Sequence, residues 1–483
     1  MRTIGTPSTQ VRKLNAIASG ALPNGKAVVV NANGTVSAVG IGSASIGSAV
    51  IFESGIIKNM VGPAAFDSNL NKVVIAYRDN SNSNYGTSVV GTVSGTSISF
   101  GTPVVFESGF TANVAPVYDI NAQKIVIFYR DLGNNQYGTS VVGTVSGTSI
   151  SFGSPVVFYS RGYASQIAAV YDANAQKSVI AYQAGGDSAH GYAVVGTVSG
   201  TSISFGSQEG FENAVVSNLG ISFDSSANKV VIAYRDEGNS NYGTAVVGTI
   251  SGTSITFGSA AVFETSAIKY TMAVYDSGNN KTNIFYMDDD DSDKGKAVIG
   301  TVSGTSISFT TPEVFYDAAG ISALTAVYDS NAATSVIGIR GASDYGYAIP
   351  ITSDGSSFTV GSSTVITTAA YGTQASSVFD PVQKKVVFAY QDDDDSDKGK
   401  AQVYNAPATT LTSENYVGLS SNGYPDTAGA TIDVQGAIND RQSGLTAGQS
   451  YFVQTNGTLG LTAGSPSVFA GTAVSATKII VKG

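Results

Sequence analysis

The chain has 483 residues and a formal net charge of −10, with 12% charged residues, 42% hydrophobic residues and no cysteine. An acidic chain without a basic stripe excludes nucleic-acid binding by phosphate neutralisation and disfavours an anionic membrane surface. The missing cysteines exclude a disulfide framework and thiolate metal sites.

The first residues, "MRTIGTPSTQVRKLNAIASG", contain no apolar run of the secretory kind, and no stretch is long and apolar enough to span a bilayer. Residues 1–33 are read as a separate N-terminal segment and candidate anchor. The strands of the repeat begin with "GTVSAVG" at Gly34 and "SIGSAVIFESG" at Ser45.

From there the chain repeats itself. "VVGTVSGTSISFG" stands at Val89 to Gly101, Val141 to Gly153 and Val194 to Gly206, then in altered form at Val246 to Gly258 and Val298 to Thr310. A second phrase, "KVVIAYRD" in its first form, aligns Tyr77, Tyr129, Tyr182, Tyr234, Tyr286, Ile339 and Tyr390. A third, "VIFESG", aligns Phe52, Phe106, Phe158, Phe211, Phe263, Phe315 and Ile366. The step is about 52 residues and holds four short alternating segments, the period of a β-propeller blade. Composition agrees, because Gly, Ser, Thr, Val and Tyr dominate over helix formers. The expectation is all-β: a seven-bladed β-propeller over residues 34–405, four strands A to D per blade. The first unit lacks A and B and the last lacks D, so the N-terminal strand would close the ring.

Strand alternation puts the A–B and C–D turns on one face and the B–C and D–A loops on the other. The repeated "VSGTS" makes the first face uniform, while the loops of the second differ from copy to copy. Loops on a rigid frame are where binding concentrates. Candidate ligand contacts there are Tyr85, Tyr137, Tyr192, Tyr242 and Tyr345, read as one B–C loop series, and Arg161 in "YSRGYASQIA". Arg78, Arg130, Arg235 and Arg340 share the position after strand B and could converge on an anionic sugar. Asp79, Asp131 and Asp236 follow three of them, which suggests local ion pairing instead. The tyrosines ending strand B read as packing between blades.

"DDDDSDKGK" occurs at Asp288 and again at Asp392. Asp288, Asp290, Asp293, Asp392, Asp394 and Asp397 are candidate Ca²⁺ ligands, since a hard cation takes six to eight oxygens. The spacing departs from D-x-D-x-D-G, and the flanking lysines favour a solvated acidic turn without cofactor. His190 is the single histidine, so a zinc site or a Ser-His-Asp triad has no basis. No carboxylate pair is singled out for glycosidase chemistry, and the chain is not read as an enzyme.

Residues 406–483 read as a small separate β domain. Here "LTSENYVGLSSNGYPD" (Leu411 to Asp426), "GLTAGQSYFVQTNGTL" (Gly444 to Leu459) and "AGTAVSATKIIVK" (Ala470 to Lys482) resemble C-terminal modules of tailed-bacteriophage virion proteins of the fibre or spike kind. "NGKAVVVNANGTVSAVG" (Asn24 to Gly40) resembles a phrase near the start of such proteins. The resemblance implies a structural virion component, with other virion proteins and a host-surface glycan or envelope protein as partners. It carries no catalytic motif. Such fibres are commonly trimers, although no heptad repeat here supports one. The alternatives are an inert decoration protein and a virion-borne polysaccharide-degrading enzyme.

Overall fold

The computed structural model describes residues 12–19, 22–31, 34–39, 44–60, 64–318, 320–406, 411, 414–425, 427–454, 457–464 and 467–482. The chain is all-β, with two short 3-10 turns as its only helical segments among the described residues. It separates into two compact units, Ile46–Asn405 and a second made of Met1–Ser45 with Ala406–Gly483.

In the larger unit each repeat folds into an antiparallel set of four strands. We number the sets 1 to 7 by their B strands: Lys72–Asp79, Lys124–Asp131, Lys177–Ala184, Lys229–Asp236, Lys281–Asp288, Thr334–Arg340 and Lys385–Asp392. In set 2, B pairs with the second half of Val104–Asp119 on one side and with C, Tyr137–Ser146, on the other. Strand D is bent, its pieces Ser149–Phe152 and Val156–Tyr159 both pairing with C. Set 7 takes its D strand from the other end of the repeat region. Val50–Lys58 pairs with Lys398–Asn405, with Ile51 opposite Lys400 and Glu53 opposite Gly399.

The repeated phrase builds the inner walls. Tyr77, Tyr129, Tyr182, Tyr234 and Tyr286 are fully buried at the ends of strand B. Phe106 lies against Tyr129 with ring centroids 5.2 Å apart, and Phe52 and Phe263 repeat this against Tyr77 and Tyr286. The apolar clusters join neighbouring sets: one gathers residues of sets 7 and 1, the next residues of sets 2 and 3. One four-stranded sheet cannot cover both of its faces, so stacking on neighbours supplies the core.

The D–A segments were expected to be loops, and three of them are not. Val104–Asp119, Glu209–Asp224 and Ala261–Asp276 are unbroken strands of 16 residues, the first half serving as D of one set and the second half as A of the next. Register shifts accommodate the change of partner, and Asn113, Asn218 and Tyr270 adopt positive φ there. Strand pairing therefore runs unbroken through sets 7, 1 and 2 and through sets 3, 4 and 5. It stops between sets 2 and 3, 5 and 6, and 6 and 7. Single hydrogen bonds cross those gaps and also link inner strands: Thr325 Oγ1 lies 2.7 Å from Ser377 Oγ between sets 6 and 7, Ala164 N–H donates to Gln136 O at 3.2 Å between sets 2 and 3, and Ala64 N–H donates to Ser377 O at 3.2 Å. The inner strands line a cavity of about 250 Å³ to which every set contributes, from Met60 and Ala115 to Leu324 and Gln374.

The second unit corrects the reading of residues 1–33 as a segment apart and of "GTVSAVG" as a blade strand. Val36–Ala38 pairs with Ala27–Val30, because Asn31, whose side chain donates to Thr35 and Ser37 hydroxyls, closes them into a local hairpin. Ala27–Val30 then pairs with Tyr416–Ser420, and Lys13–Ile17 with Gly429–Asp433. The stretches around residues 24–40 and 411–482 thus belong to one unit. Its core includes Val29, Leu419, Tyr451 and Ile479.

Candidate functional site: the B–C loops and the D–A crossings

At the end of the larger unit carrying the B–C loops, each loop is tied to the D–A segment that precedes it. Leu132 N–H donates to Phe110 O at 2.8 Å, and Gly185 N–H to Tyr163 O at 2.8 Å. Opposite this end sit the C–D turns, where Gly95, Gly147 and Gly200 have φ near +61°. Glycine there suits a two-residue hairpin loop.

Four junctions are sealed the same way. Glu107 Oε2 accepts the Tyr129 hydroxyl at 2.9 Å while Oε1 accepts Gly109 N–H at 2.9 Å. Glu53 with Tyr77, Glu212 with Tyr234 and Glu264 with Tyr286 repeat the bond at 2.8–2.9 Å. Burial first, and then the glutamate charge, drives these tyrosine pKa values far above the ordinary phenol range. A hydrogen bond to a charged acceptor contributes about 1.5–3 kcal/mol.

The aspartates after the arginines do not pair with them. Asp79, Asp131 and Asp236 instead accept backbone N–H groups of their own loops, such as those of Gly238 and Asn239 at 3.0 and 3.1 Å. Burial, and next Glu212, raises the Asp236 pKa, with the two N–H bonds pulling against it. A raised folded pKa means that the folded chain holds the proton to higher pH than the unfolded chain, so stability falls as pH rises from the ordinary carboxylate value through the raised one. Asp236→Asn keeps the acceptor and removes the charge. Its melting temperature relative to wild type should therefore climb as pH rises above the ordinary carboxylate pKa. A difference that stays flat, or shrinks, in a pH series of thermal melts would contradict this assignment.

The arginines do not converge. Arg78 lies 4.7 Å over the Phe110 ring and donates to Asn80 at 2.7 Å; Arg130 lies 4.9 Å over Tyr163 and donates to Gln136. Arg340 is paired with Asp344 and Asp393 at 3.0 and 3.1 Å, and the Nε of Arg235 is buried without a hydrogen-bond partner. Arg78, Arg130 and Arg340 are each engaged separately, by residues of their own and the next crossing or loop.

The acidic loops are likewise self-contained. Lys296 holds Asp288 at 2.6 Å and Asp291 at 3.0 Å, and Lys400 holds Asp392 at 2.7 Å and Asp395 at 2.8 Å. Asp290 and Asp394 accept the backbone N–H of Ala267 and Ala370, and Asp397 faces Lys58 at 3.5 Å. Asp293 sits at the loop tip with φ +58°. Among the described residues no three acidic or histidine side chains gather as a cation would require.

The tyrosine series resolves into two registers. Tyr85, Tyr137 and Tyr242 pair with Asp79, Asp131 and Asp236, and all three are half-buried. Tyr345 falls just before the first residue of its C strand. Tyr192 sits two positions later, opposite Tyr182, where Thr87, Thr139 and Thr244 stand in other sets; its counterpart is Tyr347, in register with Ile339. Sequence comparison aligned Tyr192 with the wrong column because the set 3 loop, "AGGDSAHGY", places His190 in the first column.

Around Tyr192 the junction differs from the sealed ones. Tyr159 stands where Glu107 stands in set 1, packs 5.2 Å from Tyr182, and its hydroxyl accepts Gly186 N–H at 3.1 Å. Tyr192 donates to Asp187, whose other oxygen lies 3.9 Å from His190. That bond to Asp187, and next burial, raises the Tyr192 pKa, and the Arg161 charge opposes it. The structure thus brings Arg161 and Tyr192 to one junction, together with Tyr159 and Tyr163, which sequence reading missed. The signal was present in "VVFYSRG", where tyrosine replaces the glutamate of "VVFESG".

No protein-family model matches the chain, and no curated protein matches it. Its fold is similar to that of the BP39L lectin from Burkholderia pseudomallei, at TM-score 0.54 and 12% identity over 74% of this chain and 99% of that one. A protein of unknown function from Dyadobacter fermentans matches at TM-score 0.45 and 11% identity, over 75% of this chain and 99% of that one. The SapL1 lectin, solved with α-methyl fucoside, matches at TM-score 0.40 and 12% identity, over 65% and 98%. The larger unit is a β-propeller-like scaffold of antiparallel sheets.

Proposed function

We propose that this chain is a glycan-binding protein whose larger unit is a seven-bladed propeller, closed by the strand Val50–Lys58. The seven B strands, the pairing of that strand with Lys398–Asn405 and a cavity lined by all seven sets support the closed ring. The carbohydrate reading is carried by one observation: aromatic, amide and charged side chains that vary between copies are collected at the loop end of a frame that otherwise repeats. Half-buried tyrosines beside exposed Arg161 and Asp187 offer flat apolar faces flanked by hydrogen-bonding groups, the lining a sugar requires. The likeness of the scaffold to a lectin supports the same reading.

The setting we propose is the surface of a bacteriophage particle, with a host-surface glycan as the partner; this rests on the phrases of residues 24–40 and 411–482. The test uses the purified full chain on intact bacterial cells and on a glycan array. Saturable binding that is abolished by periodate treatment of the cells, which cleaves vicinal diols, is the expected result. Binding that survives periodate but not protease would replace the glycan by an envelope protein, and absence of binding would leave a decoration protein.

A further inference from the structure

Three junctions lack the glutamate seal: Thr367 stands in that position between sets 6 and 7, and the other two share a different change. Between sets 2 and 3, tyrosine stands in the glutamate position (Tyr159) and a second tyrosine in the threonine column of strand C (Tyr192). Between sets 5 and 6 the same two changes recur together, as Tyr316 and Tyr347. Tyr316 repeats the work of Tyr159: its hydroxyl accepts Ala342 N–H at 2.8 Å, and its ring lies 6.2 Å from Tyr347.

A third change accompanies them. The crossing strand is broken at both places: Val156–Tyr159 ends before Ala164–Asp172 begins, and Glu313–Tyr316 ends before Ala323–Asp329. The released chain carries Arg161 and Tyr163 at the first junction. The crossing is also broken between sets 6 and 7 and between sets 7 and 1, so the distinguishing change is the tyrosine pair, whose recurrence at two separate junctions is not explained by drift of a single loop.

The first junction also leaves a cost uncompensated. Tyr182 is fully buried, yet its hydroxyl has no hydrogen-bond partner, because the glutamate that serves Tyr129 and Tyr234 is missing. A buried polar group without a partner is destabilising, and sites that accept such a cost are commonly functional. At the second junction Ile339 takes that place and the cost does not arise.

We infer that these two junctions are the sugar-binding positions of the chain, each taking one neutral pyranoside, so that one chain holds two. This rests on the glycan reading above. Neutrality follows from the way the charges are matched: at the first junction Arg161 acts on Tyr192 against Asp187 while Arg130 is held on the Tyr163 ring and Gln136, and at the second Arg340 is paired with Asp344 and Asp393. The tyrosine rings face the C–H side of the pyranose, and the neighbouring carboxylates and Arg161 meet its hydroxyls. Two positions on one rigid unit strengthen attachment to a surface without any further contact.

The chain supplies its own control substitutions. Tyr192→Thr and Tyr347→Thr install the residue that sets 1, 2 and 4 already carry, so the fold should tolerate them. Titration calorimetry of the full chain with methyl glucoside, galactoside, mannoside, fucoside and N-acetylglucosaminide should give two sites per chain for the pyranoside bound. Each single variant should give one site, and the double variant at least a tenfold loss of affinity at both. Tyr159→Glu combined with Tyr192→Thr rebuilds the seal on Tyr182; it should lose the first site while its melting temperature rises. Wild-type binding that both threonine variants leave intact, or a stoichiometry other than two, overturns the inference and leaves the glycan reading standing. Failure of the wild type to bind any pyranoside or array glycan removes both.

Discussion

Gly153→Ala should destabilise the chain by about 3 kcal/mol or more, whereas Gly147→Ala, six residues earlier in the same phrase, should cost only about 1–2 kcal/mol. The two glycines are conserved between copies for different reasons. Gly147 is the first residue of the C–D turn, with φ +61° and open space where a Cβ would project, so alanine meets only the left-handed backbone penalty. Gly153 lies at the bend between the two pieces of strand D, close to the next set. A Cβ there would come within 2.0 Å of the Thr201 carbonyl oxygen, in the C–D turn of set 3. Backbone would have to move on both sides of the junction. The same approach recurs at Gly101 on Thr148, Gly206 on Thr253, Gly258 on Thr305 and Gly47 on Thr96. Denaturant titrations of the two variants beside wild type decide the matter. Equal losses would mean that the close approach between sets does not shape the sequence.

The repeated phrase is therefore a record of contacts between neighbours. Its one failure among the five copies is consistent with this: Thr310 replaces the glycine at the end of set 5, where set 6 has "SDGSS" in place of "SGTS". Much of the fold was legible for this reason. A period near 52 with alternating apolar residues determines four strands, and a tyrosine column flanked by small residues determines a buried wall. The D–A crossings were not legible as strand, because "ESGFTANVA" reads as a polar, Gly-containing loop. Only the partner strands on either side show that its backbone groups pair first with one set and then with the next. The pairing of residues 13–38 with 416–433 was hidden by some 400 residues of separation, which no local pattern spans.

The candidate site was half legible. Variation among the loops directed the reading to the B–C loop end, and Arg161 and Tyr192 lie at one junction there. Arg78, Arg130, Arg235 and Arg340 were selected by their shared column, but a shared column places them in separate junctions, where Arg78, Arg130 and Arg340 meet different partners. Tyr159 and Tyr316 escaped notice because tyrosine is common in this chain. Their significance appears only against the glutamates they displace.

Phe52→Ala should cost as much as Phe106→Ala, about 3–5 kcal/mol each, if the ring is closed as proposed. Phe106 sits at the junction of sets 1 and 2 within continuous chain. It is 6% exposed, 5.2 Å from Tyr129 and 5.9 Å from Phe152. Phe52 repeats this environment at 5% exposure, 5.3 Å from Tyr77 and 5.7 Å from Phe100, but its strand pairs with Lys398–Asn405 across nearly the whole repeat region. The local contacts of the two rings are thus matched, and the difference between the variants reports on closure alone. In an open arrangement the N-terminal strand would fray at little cost, Phe52 would spend much of its time in water, and its removal would cost well under 1 kcal/mol. In a closed ring the strand cannot leave without exposing the edge of set 7 and the Tyr77–Glu53 bond at once. Equal shifts in the denaturation midpoint, with hydrogen exchange at Val50–Lys58 as slow as at Val104–Asp119, would establish that the last blade is made from both ends of the repeat. A large loss for Phe106 beside a small one for Phe52 would show instead that the sets form an arc.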